Sequence, residues 1–186
     1  MLILSKMHQW DKVFHLEKLE EPNDNIFFIL VNNIEKNILP TLKSRCLTFK
    51  ISFTFDKTLK VVNQLLNNNL FEIINHELIN YYTTPGEIIN LINFSNEKKI
   101  NLKEYTLTEI LIFIIDSKDF KKNSLVKNLL IGLIELFFLK RYSLDIKKNL
   151  LLEIYHNFLI RVYNTEKYNL DEESLFLEFK TKLLNG

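Results

Sequence analysis

Four long stretches in the second half of this chain carry apolar residues at helical spacing, and no stretch there alternates as a strand would. They cover roughly Leu102–Asp116, Ser124–Arg141, Leu144–Tyr163 and Asp171–Leu184. In the third, Leu151, Ile154, Phe158 and Val162 fall on one face, the stripe a helix buries against its neighbours. Successive amphipathic helices of this length predict an all-helical bundle over 97–186. They do not predict a membrane span. The apolar runs "LTEILIFIID" and "NLLIGLIELFFL" are broken by Glu109, Asp116 and Glu135 and fall short of the ~20 residues that crossing a bilayer requires.

Two further zones precede the bundle. From 52 to 96 the pattern is again helical: Leu59, Val62 and Leu66 share one face, and Phe71, Ile74 and Leu78 another. A third helix is expected at "TTPGEIINLI", where Thr84 can cap, Pro85 suits the first helical position and Glu87 completes a capping box. Residues 1–51 mix element types. "IFFILV", Ile26–Val31, is a continuous run of β-formers, as in a strand buried on both faces of a parallel sheet. Pro40 opens a short helix over about Leu39–Ser44. "CLTFKI" alternates Leu47, Phe49 and Ile51 as a second short strand. Strand, helix, strand is the order of a right-handed crossover. The fold class expected is therefore mainly α, with an α+β N-terminal part.

Composition narrows the chemistry. An apolar share of 47% with 15 Phe and 7 Tyr supplies a core, and a net charge of +1 argues against a strongly electropositive nucleic-acid module. The basic stretches "SKDFKKN" and "DIKKN" read as solvated faces, since Asp accompanies the lysines. Alanine is absent while Asn, Lys, Ile and Leu abound, a bias that reads as codon usage. One cysteine, Cys46, permits neither an internal disulfide nor a multi-cysteine zinc cluster, and the N-terminus shows no leader pattern. The expected location is cytoplasmic.

Catalytic signatures are missing from these 186 residues. With only Gly86, Gly132 and Gly186, the chain cannot hold a G-x-x-x-x-G-K-[ST] phosphate loop. His8, His15, His76 and His156 are scattered without metal-ligand spacing, and neither G-x-S-x-G nor H-E-x-x-H occurs. Arg45 is the residue with chemical promise. An Arg between a short helix and a core strand can reach an anion on a neighbouring molecule, or can cap the last carbonyls of its own helix.

The stretch "LEEPNDNIFFILVNNIEKNILPTLKSRCLTF" resembles the clamp-loader branch of the AAA+ ATPases. In that family a helix ending in Leu-Glu-Glu-Pro leads to the sensor-1 strand and then to a Ser-Arg-Cys motif. Here these are Leu19-Glu20-Glu21-Pro22, Ile26–Val31 and Ser44-Arg45-Cys46. The following zones are similar to the family's three-helix lid (52–96) and helical oligomerising collar (97–186). Within the family, "TTPGEI" places Gly86 where the ATPase subunits, gamma/tau, carry a nucleotide-sensing Arg, and Asn32-Asn33 ends the strand where those subunits have Thr-Thr-Asp. Both features look more like the non-hydrolysing delta-prime subunits of bacterial DNA polymerase III.

That resemblance implies a subunit that is not an enzyme by itself and binds no cofactor of its own. ATP and magnesium would lie in the adjacent subunit. Arg45 would act in trans as an arginine finger, with Ser44 and Cys46 setting its position and Cys46 buried as a packing residue. Asn32 and Asn33 would mark the sensor-1 position, with a structural role. Expected partners are the gamma/tau and delta subunits, and through them the sliding clamp and primed DNA, with no membrane. The family's first strands, acidic magnesium-binding pair and zinc-binding insertion are not recognisable before Leu19, so the chain reads as an N-terminally truncated member, a fragment or a decayed copy. Without neighbours, "IFFILV" would present unpaired edges. Two alternatives stand beside this reading: a helical interaction protein without a finger role, and a shortened gamma/tau-type ATPase.

Overall fold

Helices dominate the computed structural model, which describes residues 2–5, 28–31, 40–49, 51, 53–144 and 148–184. The chain divides into two compact units, Met1–Ile51 and Ser52–Gly186.

The first unit holds two strands, β1 (Leu2–Ser5) and β2 (Phe28–Val31), and a short helix, α1 (Pro40–Lys43). The strands pair in parallel, Leu2 opposite Phe28 and Ser5 opposite Val31. The 22 residues separating them are ample for the crossover that parallel pairing demands. Within "IFFILV" the described residues Phe28–Val31 form a strand as expected, with β1 as a partner along one edge, but Ile29 is exposed and not buried as a strand covered on both faces would have it. Pro40 opens α1, where its missing N–H costs nothing. The strand expected at "CLTFKI" is not formed: residues 46–49 and 51 have no regular structure, and Leu47, Phe49 and Ile51 are exposed. An alternating segment becomes a strand only where a neighbour accepts its backbone hydrogen bonds, and no described strand pairs with this one.

The second unit is entirely helical among the described residues. It comprises α2 (Phe55–Leu66), α3 (Leu70–Ile73), α4 (Pro85–Lys98), α5 (Leu107–Ser117), α6 (Ser124–Leu144), α7 (Lys148–Tyr168) and α8 (Glu172–Phe179). Single 3₁₀ turns lie at His76–Leu78 and Asp119–Lys121, and α8 runs on as a wider π turn over Lys180–Leu184.

Helix boundaries follow side-chain caps. Thr84 accepts from the Glu87 N–H while Glu87 Oε2 accepts from the Thr84 N–H at 2.7 Å, the capping box expected at α4. Thr106 and Glu109 form the same box at α5, so that helix starts at Leu107 and not near Leu102. Leu102 is buried from a turn, its carbonyl accepting the Asn75 N–H at 3.0 Å. The helical face expected over Phe71–Leu78 is split. The Asn69 side chain caps α3, Ile74 is extended, and the Asn75 side chain caps the following 3₁₀ turn.

One core runs through this unit, taking Val62 from α2, Ile88 from α4, Ile110 from α5, Leu130 from α6, Phe158 from α7 and Phe176 from α8. The expected 52–96 and 97–186 zones therefore share their apolar interior. Along α7, Leu151 and Phe158 are buried, with Ile154 and Val162 half-buried against them, as the periodicity predicts. No helix among the described residues is long and apolar enough to cross a membrane.

Candidate functional site

In the first unit the chemistry centres on the turn that leaves α1. The Ser44 N–H donates to the Pro40 carbonyl at 3.0 Å and its hydroxyl to the Thr41 carbonyl at 3.0 Å. One serine thus occupies two of the carbonyls that a helix end leaves without intrahelical donors. The Cys46 N–H closes the same turn on the Lys43 carbonyl at 3.4 Å. These bonds fix the backbone on both sides of Arg45, which is exposed. A fixed backbone and an exposed guanidinium suit an anion presented from outside the unit. Cys46 departs from expectation, being exposed and not a buried packing residue. Its position follows from the turn: with no strand after it, nothing draws Cys46 into an interior.

The other resemblance-derived positions are less connected. Asn32 and Asn33 lie outside the described residues. Gly86 belongs to the second unit, at the second position of α4, exposed, with no heavy atom within 4 Å of where a Cβ would stand. Neither space nor backbone conformation demands glycine there. His76 stacks on Phe71 with ring centroids 4.1 Å apart, and His156 is exposed on α7. Among the described residues, no three His, Cys, Asp or Glu side chains converge as metal ligands. The basic stretch at Lys118–Lys122 is engaged in ion pairs: Lys118 and Lys121 both pair with Glu173, and Asp119 pairs with Lys98 at 2.7 Å.

The second unit carries a cavity of about 500 Å³ that the motifs did not indicate. Its floor is α6, and its walls come from α4, α7 and the 78–83 segment. Glu135 stands in it: the residue is exposed overall, but the apolar lining partly desolvates its carboxyl and pushes it above the ordinary carboxylate range, the charge of Glu87 adding to that. Tyr155 lines the facing wall, its phenol raised by burial and then by Glu135. In the sequence Glu135 interrupts the apolar run "NLLIGLIELFFL", and no motif marks it.

Residues 6–54 match a family model described as "DNA polymerase III, delta subunit". The matched segment is about a quarter of the chain and contains β2, α1 and the whole Ser44-Arg45-Cys46 turn. It supports a clamp-loader-type subunit of DNA polymerase III. No curated protein and no solved structure matches this chain.

Proposed function

We propose that this chain is a delta-prime-like, non-hydrolysing subunit of a DNA polymerase III clamp loader, with Arg45 as an arginine finger for ATP and magnesium held by an adjacent ATPase subunit. The observation that carries this reading is the position of Arg45. It is exposed, on a hydrogen-bonded turn, inside the segment that matches the DNA polymerase III family. A guanidinium so placed adds positive charge where the transferring phosphoryl group spreads its negative charge. Ser44 holds the turn and Cys46 continues it, so both act by positioning. Gly86, at the place of the ATPase subunits' lid Arg, favours a subunit that completes a neighbour's site. Its partners are then gamma/tau and delta subunits in a cytoplasmic ring that acts on the sliding clamp and primed DNA.

The test is reconstitution of the full chain with gamma/tau and delta subunits, comparing wild type with Arg45→Ala and Arg45→Lys. DNA-stimulated ATP turnover should fall about tenfold or more with Arg45→Ala, since supplied fingers are worth at least that in phosphoryl transfer. Lysine should recover little, lacking the planar fork. Equal turnover in all three would remove the finger.

The second reading, assembly without chemistry, is favoured by apolar side chains exposed along α7 and α8, among them Ile160, Tyr163 and Leu177. It predicts that the ring forms and that Arg45→Ala changes nothing.

A further inference from the structure

The floor of the cavity in the second unit has an unusual sequence pattern. Asn128, Gly132, Glu135, Leu139 and Tyr142 line it from α6, and all five are exposed. Their spacing is four, three, four and three residues, the seam that one helix offers to another. Leu133, Leu136 and Phe138 line the trough more deeply and are buried, while Leu130, Ile134 and Phe137 are buried in the core and do not line it. α6 therefore has a second packing face that no other described residue of this unit covers. From Asn128 to Tyr142 this face runs about 21 Å at the helical rise, three to four turns. α4 and α7 each pack on α6 and form the trough's walls, with Asn90 on one side and Leu152 and Tyr155 on the other.

Shape favours a helix and charge states its chemistry. The lining is mainly apolar, with Glu87 and Glu135 as its charged groups and no Lys, Arg or His. Their carboxylates are near enough to affect each other's charge, and no ion pair to a described cation involves Glu135. Lys148 stands 5.1 Å from the Tyr142 ring, two helical turns along α6 from Glu135. Gly132 keeps the middle of the floor low: a Cβ there would meet nothing within 4 Å. That is where a packed helix would come closest.

We infer that this trough binds an amphipathic helix of a partner protein, one that lays apolar side chains over Gly132 and Leu139 and sets an Arg or Lys against Glu135 and Glu87. The mode is helix-in-groove recognition, with apolar anchors for affinity and one buried charge pair for register. It does not depend on the Arg45 assignment.

The test uses the full chain and a fluorescently labelled helical peptide with two leucines one turn apart and an arginine one turn beyond. The same peptide with glutamate in place of that arginine serves as its partner control. Fluorescence anisotropy should show saturable binding of the arginine peptide and at least tenfold weaker binding of the glutamate peptide. Glu135→Lys should reverse that preference, which a merely damaged fold cannot do. Gly132→Phe, which fills the trough from an exposed position, should abolish binding of both peptides with helical circular dichroism unchanged. Equal affinity for the two peptides, or undiminished binding by Gly132→Phe, would overturn the proposal. So would concentration-dependent self-association of the wild type that Gly132→Phe removes, since the trough's occupant would then be a second copy of the chain.

Discussion

Glu178 lies between two cations, with Arg161 Nη2 at 2.6 Å and Lys182 Nζ at 2.7 Å. The hydrogen bond from Arg161, and then that from Lys182, lowers its carboxyl from the usual 4.5 to about 2. A depressed carboxylate stabilises the fold above its unfolded value, and that contribution is lost as pH falls from 4.5 toward 2. Carbon-13 NMR titration should therefore find Glu178 still ionised at pH 3, and Arg161→Gln should move its midpoint upward. Because the pair is exposed, added salt should move it the same way. Glu135 shows the opposite sign. Partial desolvation by the apolar lining, and then Glu87, raise it, so the folded state favours its protonated form, and that advantage fades as pH rises from 4.5 through the folded value. Glu135→Gln should raise the melting midpoint more at pH 7 than at pH 4; an equal gain at both would mean that charge is not the cause. Tyr155 and Glu87, which face Glu135 from α7 and α4, stay in place in this comparison. Single residues were unevenly legible. Arg45 emerged from a motif because its neighbours carry the pattern, whereas the exposure of Cys46 depends on whether a strand forms after it. Residue identity leaves that open, and free cysteine is ordinarily buried.

At the scale of elements, helix starts were legible wherever the capping chemistry was sought. "TTPGE" announced α4, and the structure supplies both hydrogen bonds of its box. "TLTE" carries the same Thr-x-x-Glu signal at Thr106–Glu109, yet the apolar stripe drew the expected start back to Leu102. The stripe misled because a core accepts apolar side chains from turns as readily as from helices, and Leu102 is 2% exposed. Thr84→Ala and Thr106→Ala should each cost about 1 kcal/mol in urea unfolding, the usual value of a lost N-cap. Gly86→Ala should be neutral or stabilising by up to about 0.5 kcal/mol, since the site has room and Ala is the better helix former. A loss there would indicate that the glycine meets a contact outside this chain. Strands were the least legible elements. β1 is four residues, too few for a period to show, and its partner lies 22 residues further on.

On the scale of the whole molecule, the two units differ in what supports them. Ser52–Gly186, about 135 residues, closes its core with its own C-terminal helix. Phe176 of α8 meets Phe120 edge-on at 4.8 Å, and Phe179 sits 5.6 Å from both Phe137 of α6 and Phe158 of α7. Polar contacts hold α8 and its extension in the same place. Lys127 pairs with Glu172 and with Glu166 at 3.2 Å, and Lys180 reaches Asp116 at 2.6 Å. Lys127 is only 17% exposed, so its pairs are screened less than surface pairs and share with the aromatic contacts the work of keeping α8 docked. A domain of this size buries enough surface to fold by itself. Residues 52–186 produced alone should therefore unfold in one cooperative transition, by circular dichroism at 222 nm and by tryptophan-independent near-ultraviolet signals together. Phe176→Ala in that fragment should cost about 3–5 kcal/mol, the range for a large aromatic removed from a core. A broad, non-cooperative melt of the parent fragment would show that its helices need the first unit or a partner to pack. A small Phe176 effect in a fragment that does melt cooperatively would show instead that α8 is held by its ion pairs.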